Sequence, residues 1–237
     1  MSTVAGAFGQ AKAEHRAVLV GYLPAGFPSV PGAIAAATAM AEAGADIIEI
    51  GLPYSDPLID GPVIQEATTR ALAGGTRVAD VLRTVAALAG AGGSGLITPD
   101  LTPEEAGPWL AAAAEHRLDP VFLVAPSSSP ERIKLITSAC GGFVYAASLM
   151  GTTGTRDAVS GEADGLVRRV RECTSLPVAV GLGVRDRSQA AYVAGFADGV
   201  IVGSAFVRRL LDAPDERAGA AAVRELAADL AAGVRAG

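Results

Sequence analysis

Cysteine and histidine are scarce in this chain, with two residues of each among 237. Cys140 and Cys173 form no CxxC pair, and neither lies close in sequence to His15 or His116. Metal sites in proteins are usually assembled from closely spaced cysteines, histidines and carboxylates. We therefore expect no metal site, no cofactor and two buried free thiols.

Long apolar stretches and clustered positive charge are also lacking. No run of 18 residues is free of charge or proline, and residues 1–16 have no continuous apolar core, so we expect neither a membrane span nor a signal peptide. The 19 lysines and arginines are scattered among 25 acidic residues, without interleaved aromatic side chains, which argues against a nucleic-acid partner. These absences predict a soluble, cytoplasmic protein.

The composition and a repeated pattern predict the fold class. Half of the 237 residues are hydrophobic, which suits one compact domain over residues 1–237. Segments that run from a helix end through glycine into a buried strand begin at Ala43, Ala91 and Ala139, 48 residues apart, and a similar segment spans 194–204. Alternating strands and helices predict a parallel sheet, and their repetition predicts a (β/α)8 TIM-type barrel.

The number of strands falls one short of a closed barrel. Seven strands are predicted, near residues 18, 46, 95, 121, 143, 178 and 200. The helix predicted over 78–91 leads directly to the strand at 95, so one strand-helix unit is missing between residues 91 and 94.

An acidic residue interrupts the buried strand at 46–50, with the sequence DIIEI. An ionised Glu49 among isoleucines is costly unless a lysine or arginine pairs with it or its pKa rises. The following loop carries Asp56 and Asp60; Asp60 precedes Gly61-Pro62, where it could also serve as a turn former. Carboxylates at the carboxyl end of a strand are where a barrel enzyme holds an acid/base pair.

Three glycine-containing segments follow late strands, at 151–154, 181–183 and 203–205. Backbone N–H groups beside glycines and at helix N-termini bind anions, and barrels commonly hold phosphate after their last two strands. No lysine lies nearby for a Schiff base. The pattern therefore favours acid/base chemistry on a phosphorylated substrate.

Several motifs, in order and over nearly the whole chain, resemble the tryptophan synthase alpha chain family. They are EIGLPYSDPLIDGPVIQEA at 49–67, GLITPDLTPEEA at 95–106, FVYAASLMGTTG at 143–154 and ADGVIVGSA at 197–205. The resemblance implies a lyase of tryptophan biosynthesis that cleaves indole-3-glycerol phosphate to indole and glyceraldehyde 3-phosphate by a retro-aldol reaction.

The resemblance also assigns roles to residues. Glu49 would be the main acid/base and Asp60 would accept a hydrogen bond from the indole N1–H. Loop 151–162 would be a lid whose Thr153 contacts Asp60. The substrate phosphate would bind to backbone N–H groups of Gly154, Gly183, Gly203 and Ser204. The tyrosine near Glu49 would be Tyr145, and the indole pocket would be lined by Tyr22, Ile97, Pro99, Leu182 and Ile201; core packing would explain these side chains equally well.

The resemblance implies a partner and makes the missing unit conspicuous. The surface around Pro53–Asp56 would meet a tryptophan synthase beta chain in an α2β2 assembly. The missing unit would normally supply part of that contact and an aromatic wall of the indole pocket. Three explanations are open: the unit exists in the protein but not in this sequence, the chain has lost it, or the chain is an inactive relative.

Two other functions are compatible with the sequence. One is a non-catalytic protein that binds a phosphorylated ligand and acts as an allosteric partner of a beta chain. The other is a related phosphate-binding barrel, such as an isomerase of another phosphorylated substrate.

Overall fold

The computed structural model describes residues 3–56, 60–89, 93–147, 156–181 and 183–237, without the side chains of 89 and 156–161. The helices in these ranges are α1 (Val4–Ala13), α2 (Val30–Glu42), α3 (Pro62–Ala73), α4 (Val78–Ala89), α5 (Gly107–Glu115), α6 (Pro130–Ala139), α7 (Arg156–Arg171), α8 (Arg187–Ala194), α9 (Ser204–Leu211) and α10 (Glu216–Val234). Within this part of the chain, none of them combines the length and hydrophobicity needed to cross a bilayer.

The strands form a curled parallel sheet. They are β1 (Val18–Pro24), β2 (Ile47–Gly51), β3 (Gly95–Ile97), β4 (Asp119–Val121), β5 (Leu123–Val124), β6 (Val144–Ala147), β7 (Val178–Gly181) and β8 (Gly199–Val202). Six of them pair in the order β2-β1-β8-β7-β6-β5, and β3 pairs with β4. Only Phe122 separates β4 from β5, and its carbonyl accepts a hydrogen bond from the Tyr145 N–H at 3.2 Å. The described residues therefore occupy seven strand positions of a TIM-type barrel.

The barrel has a seam between β2 and β3. Among the described residues these two strands do not pair, whereas every other neighbouring strand position is joined by hydrogen bonds. The described residues between them, 52–56, 60–89 and 93–94, contain α3 and α4 but no strand. This agrees with the prediction that one strand-helix unit is missing from this part of the sequence.

Strand residues alternate between two hydrophobic clusters, as the pleat of a β-strand requires. Leu19, Val144 and Val200 point outward to a cluster shared with the helices. Val18, Val20 and the other inward residues form a second cluster inside the barrel, together with side chains of α1.

Helix α1 closes the N-terminal end of the barrel. Val4 and Phe8 are buried in the inner cluster, and the rings of Phe8 and Phe143 lie 5.4 Å apart. A Cβ atom at Gly199, where β8 begins, would lie 3.1 Å from the Phe8 ring. Glycine at this position therefore allows α1 to approach the strand ends closely.

Two predicted element boundaries are wrong. The motif Thr102-Pro103 suggests a helix start, but α5 begins at Gly107. Pro108 explains the delay, because it has no N–H to donate to the Glu104 carbonyl and its ring would clash with that carbonyl. Helix α7 begins at Arg156, inside the loop predicted over 151–162. Its buried residues, which include Leu166 and Val170, offset the low helix propensity of its glycines.

Candidate active site

Glu49 lies on β2, two residues before the carboxyl end of the strand, and pairs in register with Tyr22 of β1. Inward-facing residues alternate along both strands, and Ile47, two residues before Glu49, packs against the inner cluster. The residue as a whole is half-buried, but its Oε2 atom is fully buried and accepts no hydrogen bond from the described residues. The carboxyl group is therefore held inside the barrel with an unused acceptor.

Burial changes the acid strength of this carboxyl group. It raises the pKa of Glu49 to about 7, and the nearby negative charge of Asp60 adds to the effect. No lysine or arginine in the described part of the chain forms an ion pair with Glu49. The interpretation in which a cation neutralises it therefore finds no support. A carboxyl group with this pKa can donate and accept protons near neutral pH.

Asp60 lies between the loop after β2 and the N-terminus of α3, and it is half-buried. Its backbone carbonyl accepts a hydrogen bond from Gln65 Nε2 at 2.7 Å. Burial raises the pKa of Asp60, and the negative charge of Asp100 raises it further. The charge of Asp60 thus acts on the Glu49 carboxyl group, and the partial exposure of Asp60 favours its ionised form.

Three of the four tyrosines of the chain surround these carboxyl groups. Burial raises the pKa values of Tyr22 and Tyr145, and the charges of Glu49 and Asp60 raise them further. The hydroxyl group of Tyr54 donates a hydrogen bond to Asp100 Oδ2 at 3.3 Å. The phenols stay protonated and can donate hydrogen bonds at the mouth of the barrel.

Glycines make room for the two inner tyrosines. A Cβ atom at Gly51 would lie 2.3 Å from the Tyr22 hydroxyl oxygen, and one at Gly181 would lie 2.6 Å from that of Tyr145. Both distances are too short for any side chain. The two rings therefore lie against the carboxyl ends of β2 and β7, beside Glu49.

Two of the residues expected to line the indole pocket, Ile97 and Ile201, lie in the barrel interior. Ile201 is buried and Ile97 is half-buried, and both pack in the inner cluster with Tyr145. Pro99, one of the predicted lining residues, is exposed at the rim. The interior below the carboxyl groups is apolar, as an indole ring requires.

The expected phosphate-binding residues of the last two strands lie together. Gly183 adopts a positive φ of 68°, and Gly203 is the N-cap of α9 without a side-chain hydrogen bond. Gly183 and Ser204, the first residue of α9, line one cavity together with Arg185 and Arg208. The first-turn N–H groups of α9 thus face a space that can hold an anion.

Part of the predicted site lies outside the described residues. This applies to Thr153, Gly154 and Leu182, and to the first five residues of the predicted lid, 151–155.

Two polar residues of the site, Tyr54 and Asp100, are not among the residues predicted to act in catalysis or substrate binding, although Tyr54 lies in the segment 53–56 predicted to meet a beta chain. A signal for Asp100 was present, because it follows the carboxyl end of β3 just as Asp56 and Asp60 follow that of β2. Nothing in the sequence indicates such a position for Tyr54, because a tyrosine in a loop is not part of a periodic hydrophobic pattern.

Comparison with known proteins identifies close relatives. The family model for the tryptophan synthase alpha chain matches residues 8–92 and 83–235. The tryptophan synthase alpha chain of Salinispora arenicola is 56% identical over 263 positions, covering 99% of this chain and 98% of the relative. That of Streptomyces coelicolor is 54% identical, covering 95% and 94%.

Solved structures give the same result. Tryptophan synthase from M. tuberculosis, in an open form with BRD0059 bound, matches with a TM-score of 0.89 and 49% identity, covering 99% of this chain and 100% of that chain. Tryptophan synthase subunit alpha from Legionella pneumophila matches with a TM-score of 0.87 and 28% identity, covering 99% and 98%.

The lengths of the matched chains bear on the seam. The 263 aligned positions with the Salinispora protein exceed the 237 residues of this chain by 26. The family model also matches in two parts that meet near residues 83–92, next to the end of α4. Within the alignment the relative therefore has at least 26 residues that this sequence lacks, a total that is about the length of one strand-helix unit.

Proposed function

We propose that Glu49 and Asp60 carry out the reaction of the tryptophan synthase alpha chain family, to which this chain belongs. That reaction cleaves indole-3-glycerol phosphate to indole and glyceraldehyde 3-phosphate. The observation that carries the proposal is the buried Glu49 carboxyl group, with a pKa of about 7 and an unused acceptor atom beside Asp60. The test is whether the purified chain releases indole and glyceraldehyde 3-phosphate in equal amounts from this substrate.

Protonation of the indole ring is the first step. Glu49 donates its proton to C3 of indole, and the ring becomes a cationic indolenine. The N1–H then donates a hydrogen bond to the ionised Asp60, whose negative charge stabilises the cation. This step requires a protonated Glu49, whose pKa burial raises to about 7, and an ionised Asp60, whose partial exposure favours the charged form.

Cleavage of the carbon–carbon bond is the second step. The Glu49 carboxylate accepts the proton of the neighbouring glycerol hydroxyl group, and the O–H electrons form the aldehyde C=O bond. The electrons of the broken C–C bond return to the ring and neutralise the indolenine. Glu49 ends the cycle protonated, so a pKa near neutrality serves both steps.

The phosphate group of the substrate binds at the N-terminus of α9 in this proposal. Ser204→Asp places a carboxylate at that site, where it should repel the phosphate group without destabilising the helix, because an acid is favourable in the first turn. We expect KM for indole-3-glycerol phosphate to rise about 10- to 100-fold, with a smaller change in kcat, in steady-state kinetics.

Ser188→Asp is the matched control, because Ser188 lies in the first turn of another helix, α8. It should leave KM within about twofold of the unaltered chain. Equal KM values for the two variants would exclude the N-terminus of α9 as the phosphate site.

We propose, further, that this cytoplasmic enzyme forms an α2β2 complex with a tryptophan synthase beta chain through the surface around residues 53–56. Leu52 on this surface is 49% exposed, and Ser55 and Asp56 are also exposed, whereas Pro53 is buried and anchors the segment. A single exposed leucine is common on protein surfaces, so the support for this contact is the resemblance of the segment to the family.

The beta-chain contact is tested by gel filtration of a mixture of the two chains. We expect a complex of two chains of each kind, and we expect Asp56→Lys to raise Kd at least about 10-fold by reversing a charge in the contact. Asp212→Lys reverses a charge at the exposed residue that follows α9 and should have no effect. Equal affinities of both variants would place the contact elsewhere.

A further inference from the structure

Tyr22 lies between Glu49 and Gly203 in one layer of the barrel. On one side it pairs in register with Glu49 of β2. On the other side Gly21 pairs with Val202 of β8, so one step further along β1 Tyr22 is level with Gly203. Neighbouring strands lie about 4.8 Å apart, so the backbone positions of the proposed acid/base and the proposed phosphate site are roughly 10 Å apart, with Tyr22 midway between them.

The Tyr22 side chain extends across this layer. A Cβ atom at Gly203 would lie 3.2 Å from Cδ1, near the base of the ring. A Cβ atom at Gly51 would lie 2.3 Å from the hydroxyl oxygen, at the far end of the ring. Gly51 follows Glu49 by two residues on β2, so both face the same side of the strand. The ring therefore runs from the phosphate end of the layer to the Glu49 end.

The hydroxyl group of Tyr22 is available to a ligand. Among the tyrosine hydroxyl groups of the described residues, that of Tyr54 donates a hydrogen bond, whereas that of Tyr22 does not. The Tyr22 hydroxyl oxygen is also absent from the fully enclosed polar atoms that lack a partner in the same part of the chain. It is therefore open to the space at the mouth of the barrel, where a donor can fix the position of a polar substrate.

The glycerol part of the proposed substrate has the length that this layer requires. It extends roughly 6 Å from C3 of the indole ring to phosphorus, and the Glu49 side chain covers the remaining distance. It carries two hydroxyl groups. The first gives its proton to Glu49 in the proposed mechanism, whereas the second has no partner among the roles assigned above.

We propose that Tyr22 is a specificity-determining residue whose hydroxyl group donates a hydrogen bond to this second glycerol hydroxyl group, which remains on glyceraldehyde 3-phosphate as its 2-hydroxyl group. The inference rests on the proposed function and goes beyond it. It places Tyr22 against the glycerol chain and not only against the indole ring. The substrate class that this contact selects is a three-carbon phosphate ester with a hydroxyl group on its middle carbon.

The test uses the reverse reaction, in which indole combines with an aldehyde and the disappearance of indole is measured. Glyceraldehyde 3-phosphate is compared with 3-oxopropyl phosphate, which lacks only the 2-hydroxyl group. Tyr22→Phe should lower kcat/KM for glyceraldehyde 3-phosphate about 3- to 10-fold, because one neutral hydrogen bond is lost. The same variant should leave kcat/KM for 3-oxopropyl phosphate within about twofold of the unaltered chain.

Two controls show that the pocket of the variant is intact. Indole-3-propanol phosphate lacks both hydroxyl groups, so its Kd should differ by less than about twofold between Tyr22→Phe and the unaltered chain. Tyr192→Phe, at an exposed position of α8, should leave all of these values unchanged. The inference is overturned if Tyr22→Phe lowers kcat/KM equally for the two aldehydes, which a structural role or a contact with the aldehyde oxygen would produce, or if it lowers neither.

The forward reaction separates failure of this inference from failure of the proposed function. Release of indole from indole-3-glycerol phosphate by the unaltered chain, combined with equal effects of Tyr22→Phe on the two aldehydes, would overturn the inference alone. An unaltered chain that releases no indole from this substrate would overturn the proposed function and the inference with it.

Discussion

Replacing Glu49 by glutamine should lower the release of indole from indole-3-glycerol phosphate at least about 1000-fold. Glutamine has nearly the same shape, but it can neither donate the proton to C3 nor accept the one from the glycerol hydroxyl group. Because Glu49 performs both proton transfers in the proposed mechanism, this one substitution removes both of them. The measurement is the initial rate of indole formation by the purified variant.

The control must show that the variant still folds and binds. Circular dichroism and the affinity for glycerol 3-phosphate, which occupies only the phosphate site, should match those of the unaltered chain. Glu115→Gln, on the exposed end of α5, should retain full activity. A Glu49→Gln variant that keeps more than about a tenth of the activity would remove Glu49 from the chemistry.

The same substitution should stabilise the folded chain in a pH-dependent way. The pKa of Glu49 is about 7 in the folded state against an ordinary value of 4.5. Above pH 7 the carboxyl group is ionised in both states, and the buried charge costs the native state up to about 3 kcal/mol. Below pH 4.5 it is protonated in both states and the cost vanishes. Glutamine carries no charge at any pH, so it removes this cost.

Chemical denaturation at two pH values measures the effect. At pH 8 the free energy of unfolding of Glu49→Gln should exceed that of the unaltered chain by up to about 3 kcal/mol more than it does at pH 4.5. Exposed Glu115→Gln should show no such difference between the two pH values. A difference that is independent of pH would mean that the native carboxyl group is not held in a poorly solvated place.

Much of the site could be predicted because it depends on local pattern. The β-branched run around Glu49 identifies a buried strand, and the alternation of side chains then determines that Glu49 shares a face with Ile47. The absence of one strand-helix unit was also visible, because strands and helices follow each other at short range along the chain.

Features that depend on how distant segments meet could not be predicted. The bond between Tyr54 and Asp100 joins loops 46 residues apart, and it depends on the curl of the sheet around the seam. The helix start predicted at Thr102-Pro103 is wrong for a different reason, because Pro108 blocks the turn that would follow this capping motif.

The apolar floor that α1 places under the barrel has a consequence for isotope exchange. Val4 and Phe8 fill the interior below Glu49, so solvent cannot reach the carboxyl group from the N-terminal end. In the proposed mechanism, the hydrogen that Glu49 gives to C3 leaves with indole, and Glu49 takes up another from the glycerol hydroxyl group. Because α1 closes the lower end, any direct exchange of the Glu49 proton with water takes place through the mouth of the barrel.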